Sequence, residues 1–248
     1  MNFLKQGLSA IAALAAMFLL SSPSNAWEID KMNEQIEKTN VIVSGICSGT
    51  VIDIKKRLVL TAHHCITENL RETTKEEIDP VTGEITTKKV MERQPMYIEV
   101  RKRQDYDIVS SETHTASIKG WDPLADIAIL QVDDEDWKPA MAAPMAPDTF
   151  KYKRGVPVFA VGNPGITFDN SVTTGIISAP ERKLDLGRGK VPFFQMSANV
   201  IGGNSGGAIY NDDGEIIGTL SAGVRGSDIG LAVPVSKTKE LLKKLGLQ

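Results

Sequence analysis

The sequence predicts an all-β domain, and three observations carry that expectation. First, short apolar runs rich in β-branched residues recur from residue 41 onward: 41–54, 58–62, 96–101, 115–118, 127–132, 156–161, 172–177, 193–196, 208–210, 216–224 and 231–235. Second, turn-forming residues separate them, as in Asn211-Asp212-Asp213-Gly214, which reads as a hairpin between two runs. Third, helical periodicity is confined to the two ends. Many short strands at this spacing mark a sandwich or barrel.

Each segment follows from its residues. Over 1–26, Lys5 supplies a positive start and residues 8–20 an apolar run. Ser24 and Ala26 then supply the small residues of a cleavage site after Ala26. The run is too short for a membrane span, which needs about 20 apolar residues. The expectation is a signal peptide and an exported chain, periplasmic or extracellular, with no stable membrane anchor after its removal. Residues 27–40 carry Ile29, Met32 and Ile36 among charges, a short amphipathic helix. The stretch 67–90 is charged with both signs around the turn 79–83 and reads as a projecting hairpin or a loop. Residues 137–154, with Pro139, Pro144 and Pro147, read as the connection between two β halves. At the end, Ser236 suits an N-cap, Leu241, Leu242 and Leu245 share one face, and Gly246 suits a stop, giving a helix over 236–246.

Composition narrows the function classes. With 42% hydrophobic and 24% charged residues the chain can bury a core and is not disordered. A net charge of −3, with Lys and Arg dispersed among acids, gives no reason to expect a nucleic-acid partner. The two cysteines, Cys47 and Cys65, suit either a disulfide in an exported chain or a metal site with His63 and His64. Consecutive residues on a strand face alternate sides, and no second Cys/His cluster completes a ligand set, so no metal and no cofactor is expected.

The chemistry concentrates in Gly202-Gly203-Asn204-Ser205-Gly206-Gly207. A serine hydroxyl is a weak nucleophile until a base and oxyanion donors assist it, and flanking glycines keep side chains off the amides that would serve as those donors. Gly-x-Ser-x-Gly is also the nucleophile elbow of α/β-hydrolases, in which the histidine follows the serine. All three histidines of this chain precede Ser205, so the elbow reading fails. Upstream, Leu58-Val59-Leu60-Thr61-Ala62-His63-His64-Cys65 ends an apolar strand in Thr-Ala-x-His-Cys, after Ile46-Cys47-Ser48-Gly49-Thr50-Val51. Between them, Asp126 stands directly before the apolar run 127–132.

These segments resemble the trypsin/chymotrypsin clan of serine proteases, its bacterial HtrA-like branch in particular. Val161-Gly162-Asn163-Pro164-Gly165, Val172-Thr173-Thr174-Gly175-Ile176-Ile177-Ser178 and Gly230-Leu231-Ala232-Val233-Pro234 extend the likeness. The resemblance implies two six-stranded β-barrels, about 41–136 and 155–235, with a short helix at either end. It implies a Cys47–Cys65 disulfide and selects His64, beside the cysteine, over His63. It assigns His64 as general base, Asp126 as its orienting acid, Ser205 as nucleophile, and the amides of Gly203 and Ser205 as the oxyanion hole. The order His, Asp, Ser is the chymotrypsin order.

By the same likeness Asn199 lies at the base of the primary pocket, and Ser221, Ala222 and Gly223 line a wall, which favours a neutral substrate side chain. Asn204 stands where digestive relatives carry an aspartate that pairs with a new N-terminus, so no zymogen switch is expected and Trp27 need not insert anywhere. HtrA-like proteins append PDZ domains, and none is expected after 236–246. The expected function is a secreted endopeptidase with polypeptide substrates and an acyl-enzyme intermediate. The alternative is a catalytically silent protein-binding module on the same scaffold; a charged 67–90 segment serving a partner is a weaker one.

Overall fold

The structure is a computed structural model that describes residues 27–104, 107–187, 189–224 and 226–248. The expected signal peptide, 1–26, lies outside the described residues.

Among the described residues, fourteen strands form two closed barrels and one separate ribbon. The first barrel holds β1 (Asn40–Val43), β2 (Cys47–Asp53), β3 (Leu58–Thr61), β6 (Met96–Gln104), β7 (Asp107–Asp122) and β8 (Ile127–Val132), in the order β1-β2-β3-β8-β7-β6. The second holds β9 (Pro157–Gly162), β10 (Ser171–Asp185), β11 (Lys190–Met196), β12 (Ala208–Tyr210), β13 (Ile216–Gly223) and β14 (Gly230–Pro234), closing as β10-β11-β14-β13-β12-β9. All strand pairs are antiparallel. The run 41–54 is therefore two strands and not one: Ser44 and Gly45 take positive φ (47° and 69°) and turn the chain back on itself.

β3 and β8 are buried on both faces, which is why Leu-Val-Leu and Ile-Ala-Ile-Leu read as continuous apolar runs and not as alternation. Val59, Ala128 and Leu130 point into the first barrel. Their neighbours Leu58, Leu60, Ile127 and Ile129 pack outward on Phe193, Leu231 and Val233 of the second barrel. The two strands pair with Thr61 opposite Ala128, so the end of β3 lies beside the start of β8. His64 leaves from one and Asp126 enters the other.

The helices seal the outside. Helix α1 (Ile29–Thr39) buries Gln35, Ile36 and Thr39, with Gln35 Nε2 donating to Gly214 O at 2.9 Å. Ile29 shares the face of the buried Ile36, two turns on, yet is 70% exposed, because it stands at the first position of the helix. Trp27 does settle in place, its ring against Phe159 (5.6 Å) and Tyr210 (5.0 Å) on the second barrel. Helix α2 (Val235–Lys244) begins one residue earlier than expected and Ser236 does not cap it. β14 runs straight into Pro234, and the Tyr152 hydroxyl accepts the Val235 amide at 3.3 Å in place of a capping side chain. Leu241 and Leu242 pack into the seam between the barrels.

The charged segment is a ribbon outside both barrels. β4 (Leu70–Ile78) and β5 (Ile85–Arg93) pair in unbroken register from Leu70↔Arg93 to Ile78↔Ile85. Its root is fixed: Gln94 N donates to Asn69 O at 2.7 Å, Arg93 Nη1 donates to Ile118 O at 2.8 Å, and the Arg93 guanidinium lies 5.0 Å from the Trp121 ring centre.

Candidate active site

Three segments from the two barrels meet at one seam. His64 lies in a single 3-10 turn, His63–Cys65, directly after β3. The expectation that His63, His64 and Cys65 continue a strand is thereby corrected: the backbone turns as soon as it leaves the barrel. Asp126 is fully buried and takes φ 56°, a left-handed conformation that aspartate tolerates better than branched residues do. That twist aims its carboxylate at the turn. Asp126 Oδ1 accepts the His64 backbone amide at 3.0 Å, and His64 Nδ1 lies 2.9 Å from Oδ2 and 3.1 Å from Oδ1. The Ser221 hydroxyl donates to Oδ2 as well. With Nδ1 engaged by a carboxylate, the proton sits on Nδ1 and the Nε2 lone pair is left outward.

Ser205 belongs to the second barrel and is docked on the first. Ser48 N, on β2, donates to Ser205 O at 2.8 Å, and Cys65 Sγ lies 3.8 Å from the same oxygen. Cys47 and Cys65 form a disulfide that ties β2 to the histidine turn. The side-chain ligand atoms of Cys47, His64 and Cys65 lie within 4.8 Å of one another. Both sulfurs are consumed by their mutual bond, so this cluster offers no thiolate to an ion. The disulfide is the shared neighbour of the imidazole and the serine.

The glycines around Ser205 are required by close approach. Gly206, at φ 82°, abuts Ser48 and Thr61, and any Cβ there would strike them. Gly203, at φ 98°, lies against Asn163 and Gly165. Among the described residues, the amides of Gly203 and Ser205 donate no backbone hydrogen bond, whereas Gly206 N donates to Leu220 O (2.9 Å) and Gly207 N to Asn204 O (3.0 Å).

A cavity of about 740 Å³ opens beside Ser205, lined among others by Asn199, Val200, Ala222, Gly223 and Asp228. Val200 packs against Gly223, where any side chain on the glycine would meet it. Of the four pocket residues expected, Asn199, Ala222 and Gly223 line this cavity. Ser221 does not: its side chain faces the other way, onto Asp126. The reason is the strand itself, since Ser221 and Ala222 are neighbours on β13 and point to opposite faces.

Sequence reasoning did not find a buried polar network behind the serine loop. Ser48 Oγ donates to Gly203 O at 2.7 Å and accepts from Asn163 N (2.8 Å) and Asn163 Nδ2 (3.1 Å). Asn163 Nδ2 also reaches Val41 O at 2.9 Å, and its Oδ1 accepts from Asn40 Nδ2 at 2.8 Å. The sequence signal available was the polar Asn163 between a buried strand end and a proline.

This fold and site define a chymotrypsin-type two-barrel domain with a serine-protease layout. The chain belongs to the family of the trypsin-like peptidase domain, which it matches over residues 47–218. It is 33% identical over 147 residues to the mitochondrial serine protease HTRA2 of Bos taurus, covering 58% of this chain and 31% of that protein. It is 32% identical over 146 residues to the serine protease Do-like HtrB of Bacillus subtilis (56% and 31%). A probable periplasmic serine endoprotease DegP-like protein of Pseudomonas fulva is 35% identical over 136 residues (52% and 27%). The chain thus spans about a third of the length of these relatives. In fold it resembles the serine endoprotease from Yersinia pestis, with a TM-score of 0.61 at 23% identity, over 91% of this chain and 68% of that one.

Proposed function

We propose that this chain is a serine endopeptidase that cleaves polypeptides through His64, Asp126 and Ser205. The observation that carries the reading is the buried Asp126 carboxylate bound to His64 Nδ1 beside the docked Ser205 loop. In this mechanism His64 Nε2 takes the Ser205 hydroxyl proton as Oγ adds to the substrate carbonyl. The amides of Gly203 and Ser205 receive the oxyanion, and a proton returns from the imidazolium to the leaving amine. Water, deprotonated by the same imidazole, then hydrolyses the acyl-enzyme. Asp126 fixes the tautomer and balances the imidazolium charge.

The neutral residues Asn199, Val200, Ala222 and Gly223 in the lining of the cavity beside Ser205 support a neutral side chain before the cut, with Asp228 the one acidic group among its lining residues. Export to the periplasm or the medium is part of the proposal, after removal of residues 1–26. It is supported by the Cys47–Cys65 disulfide, which suits an oxidising compartment.

The test is hydrolysis of an unfolded, alkylated polypeptide by wild type and Asp126→Asn. The expected result is fragments with neutral residues at the new C-termini, and a kcat lower by about 10⁴-fold in the variant, which would hold the wrong tautomer. Equal, slow turnover by both proteins would point to a silent binding module.

A further inference from the structure

We propose that Arg101, on β6 of the first barrel, is a positioning residue for the oxyanion donor of the second, acting through the 163–170 loop. This deepens the protease reading and rests on it in one respect, the use of the Gly203 amide for the oxyanion.

The connection can be followed bond by bond. Arg101 Nη1 donates to Ile166 O at 2.8 Å and lies 3.6 Å from Asp169 Oδ1, so it grips the loop twice. Its Nε donates to Glu99 Oε1 at 2.7 Å, which holds the guanidinium on its own strand. The gripped loop touches the glycine turn directly: Gly165 N donates to Gly202 O at 2.7 Å, and Asn163 binds the same Ser48 hydroxyl that holds Gly203 O. Gly202 O shares its peptide plane with the Gly203 amide, and Gly203 O belongs to the next peptide, so the two bonds hold consecutive peptides; rotating the Gly202–Gly203 peptide would break the Gly165 bond and point the Gly203 amide away from a substrate oxygen.

Two features make Arg101 more than a surface ion pair. The side chain of Asp169 is 2% exposed and that of Arg101 17%, so the pair is largely withdrawn from water. Glu99 and Asp169 both face the one guanidinium; it holds the Glu99 carboxyl below its ordinary range, while burial and the Asp169 charge push the other way. Without Arg101, the buried Asp169 carboxylate and the partly buried Glu99 carboxylate, which Ser111 also holds, would lose the cation they share. Further, Ile166 sits at φ 62°, a conformation that a β-branched residue holds only when its surroundings impose it. The bond from Arg101 to its carbonyl is one such constraint.

The experiment compares wild type with Arg101→Met, Arg101→Lys and the pair Glu99→Gln with Arg101→Met, using peptide hydrolysis and hydrogen exchange of the 199–209 segment. Exchange in β8 serves as the control for folding. In Arg101→Met, kcat should fall about 10–100-fold with KM within about twofold, because the loss is confined to the transition state. Exchange over 199–209 should rise at least about tenfold while β8 is unchanged. Arg101→Lys, which keeps the charge without the fork, should fall between. Removing the Glu99 charge as well should restore part of kcat, since one carboxylate fewer is left without its cation. Unchanged exchange over 199–209 in Arg101→Met, or a loss that lies wholly in KM, would overturn the proposal. If wild type itself cleaves nothing, the protease reading fails, yet the exchange still decides whether Arg101 governs the loop. If Arg101→Met does not fold, Arg101→Lys and the charge-relieved pair carry the same comparison, and wild-type exchange over 199–209 in both would count against it.

Discussion

At the scale of single residues, Asp126 carries more than the histidine. It is fully buried and receives donors from His64 Nδ1, the His64 amide and the Ser221 hydroxyl. A buried carboxylate is tolerable when it is so satisfied, and each hydrogen bond to a charged group contributes about 1.5–3 kcal/mol. Ser221→Ala should therefore lower the unfolding free energy by about 1–3 kcal/mol and reduce kcat about tenfold through a less firmly held imidazole. Urea unfolding with single-turnover kinetics checks both, and unchanged values would show that Ser221 is incidental. His64, Asp126 and Ser205 could be proposed from the sequence because each sits in a contiguous string that resembles a motif of the family. Ser221, Asn163 and Arg101 were not, because each acts on a partner far away in the chain; Asn163 and Ser48 are 115 residues apart. Their roles are set by which strands close the barrels, and no local pattern encodes that.

At the scale of elements, β3 and β8 could be read directly from apolar content, while the 67–90 segment could be read only as charged and projecting. The ribbon it forms has no core of its own, and an isolated pair of strands is at best marginally stable in water. It persists because Leu70 packs on the first barrel and Arg93 is clamped to Trp121 and Ile118. Since Asn69 and Gln94 are already hydrogen-bonded to each other, residues 71–92 can be replaced by Asn-Gly without moving the barrel. The shortened protein should unfold cooperatively, within about 1 kcal/mol of the parent, as surface changes away from a core usually do. Loss of cooperative unfolding would mean that the ribbon is integral to the barrel.

At the scale of the whole molecule, the barrels share one seam, and everything proposed as chemistry lies on it: His64 and Asp126 from one side, Ser205 from the other, α2 closing the far end. Burial across the molecule also sets its alkaline limit. Burial pushes Tyr210 and Tyr152 up to about 12. A tyrosine whose folded pKa lies above its unfolded value of about 10 contributes its full stability below pH 10 and loses it as pH rises towards 12. Denaturant unfolding at pH 9 and pH 11.5 should differ by about 1–3 kcal/mol, less in Tyr152→Phe; a flat profile would contradict the burial. The measurement that tests the central claim most directly is the intact mass of the folded protein before and after a fluorophosphonate probe, for wild type and Ser205→Ala. The account predicts a single adduct on wild type and none on the variant, since only an activated serine attacks phosphorus at neutral pH. A folded wild type that takes no adduct, or a Ser205→Ala protein labelled equally, would contradict it.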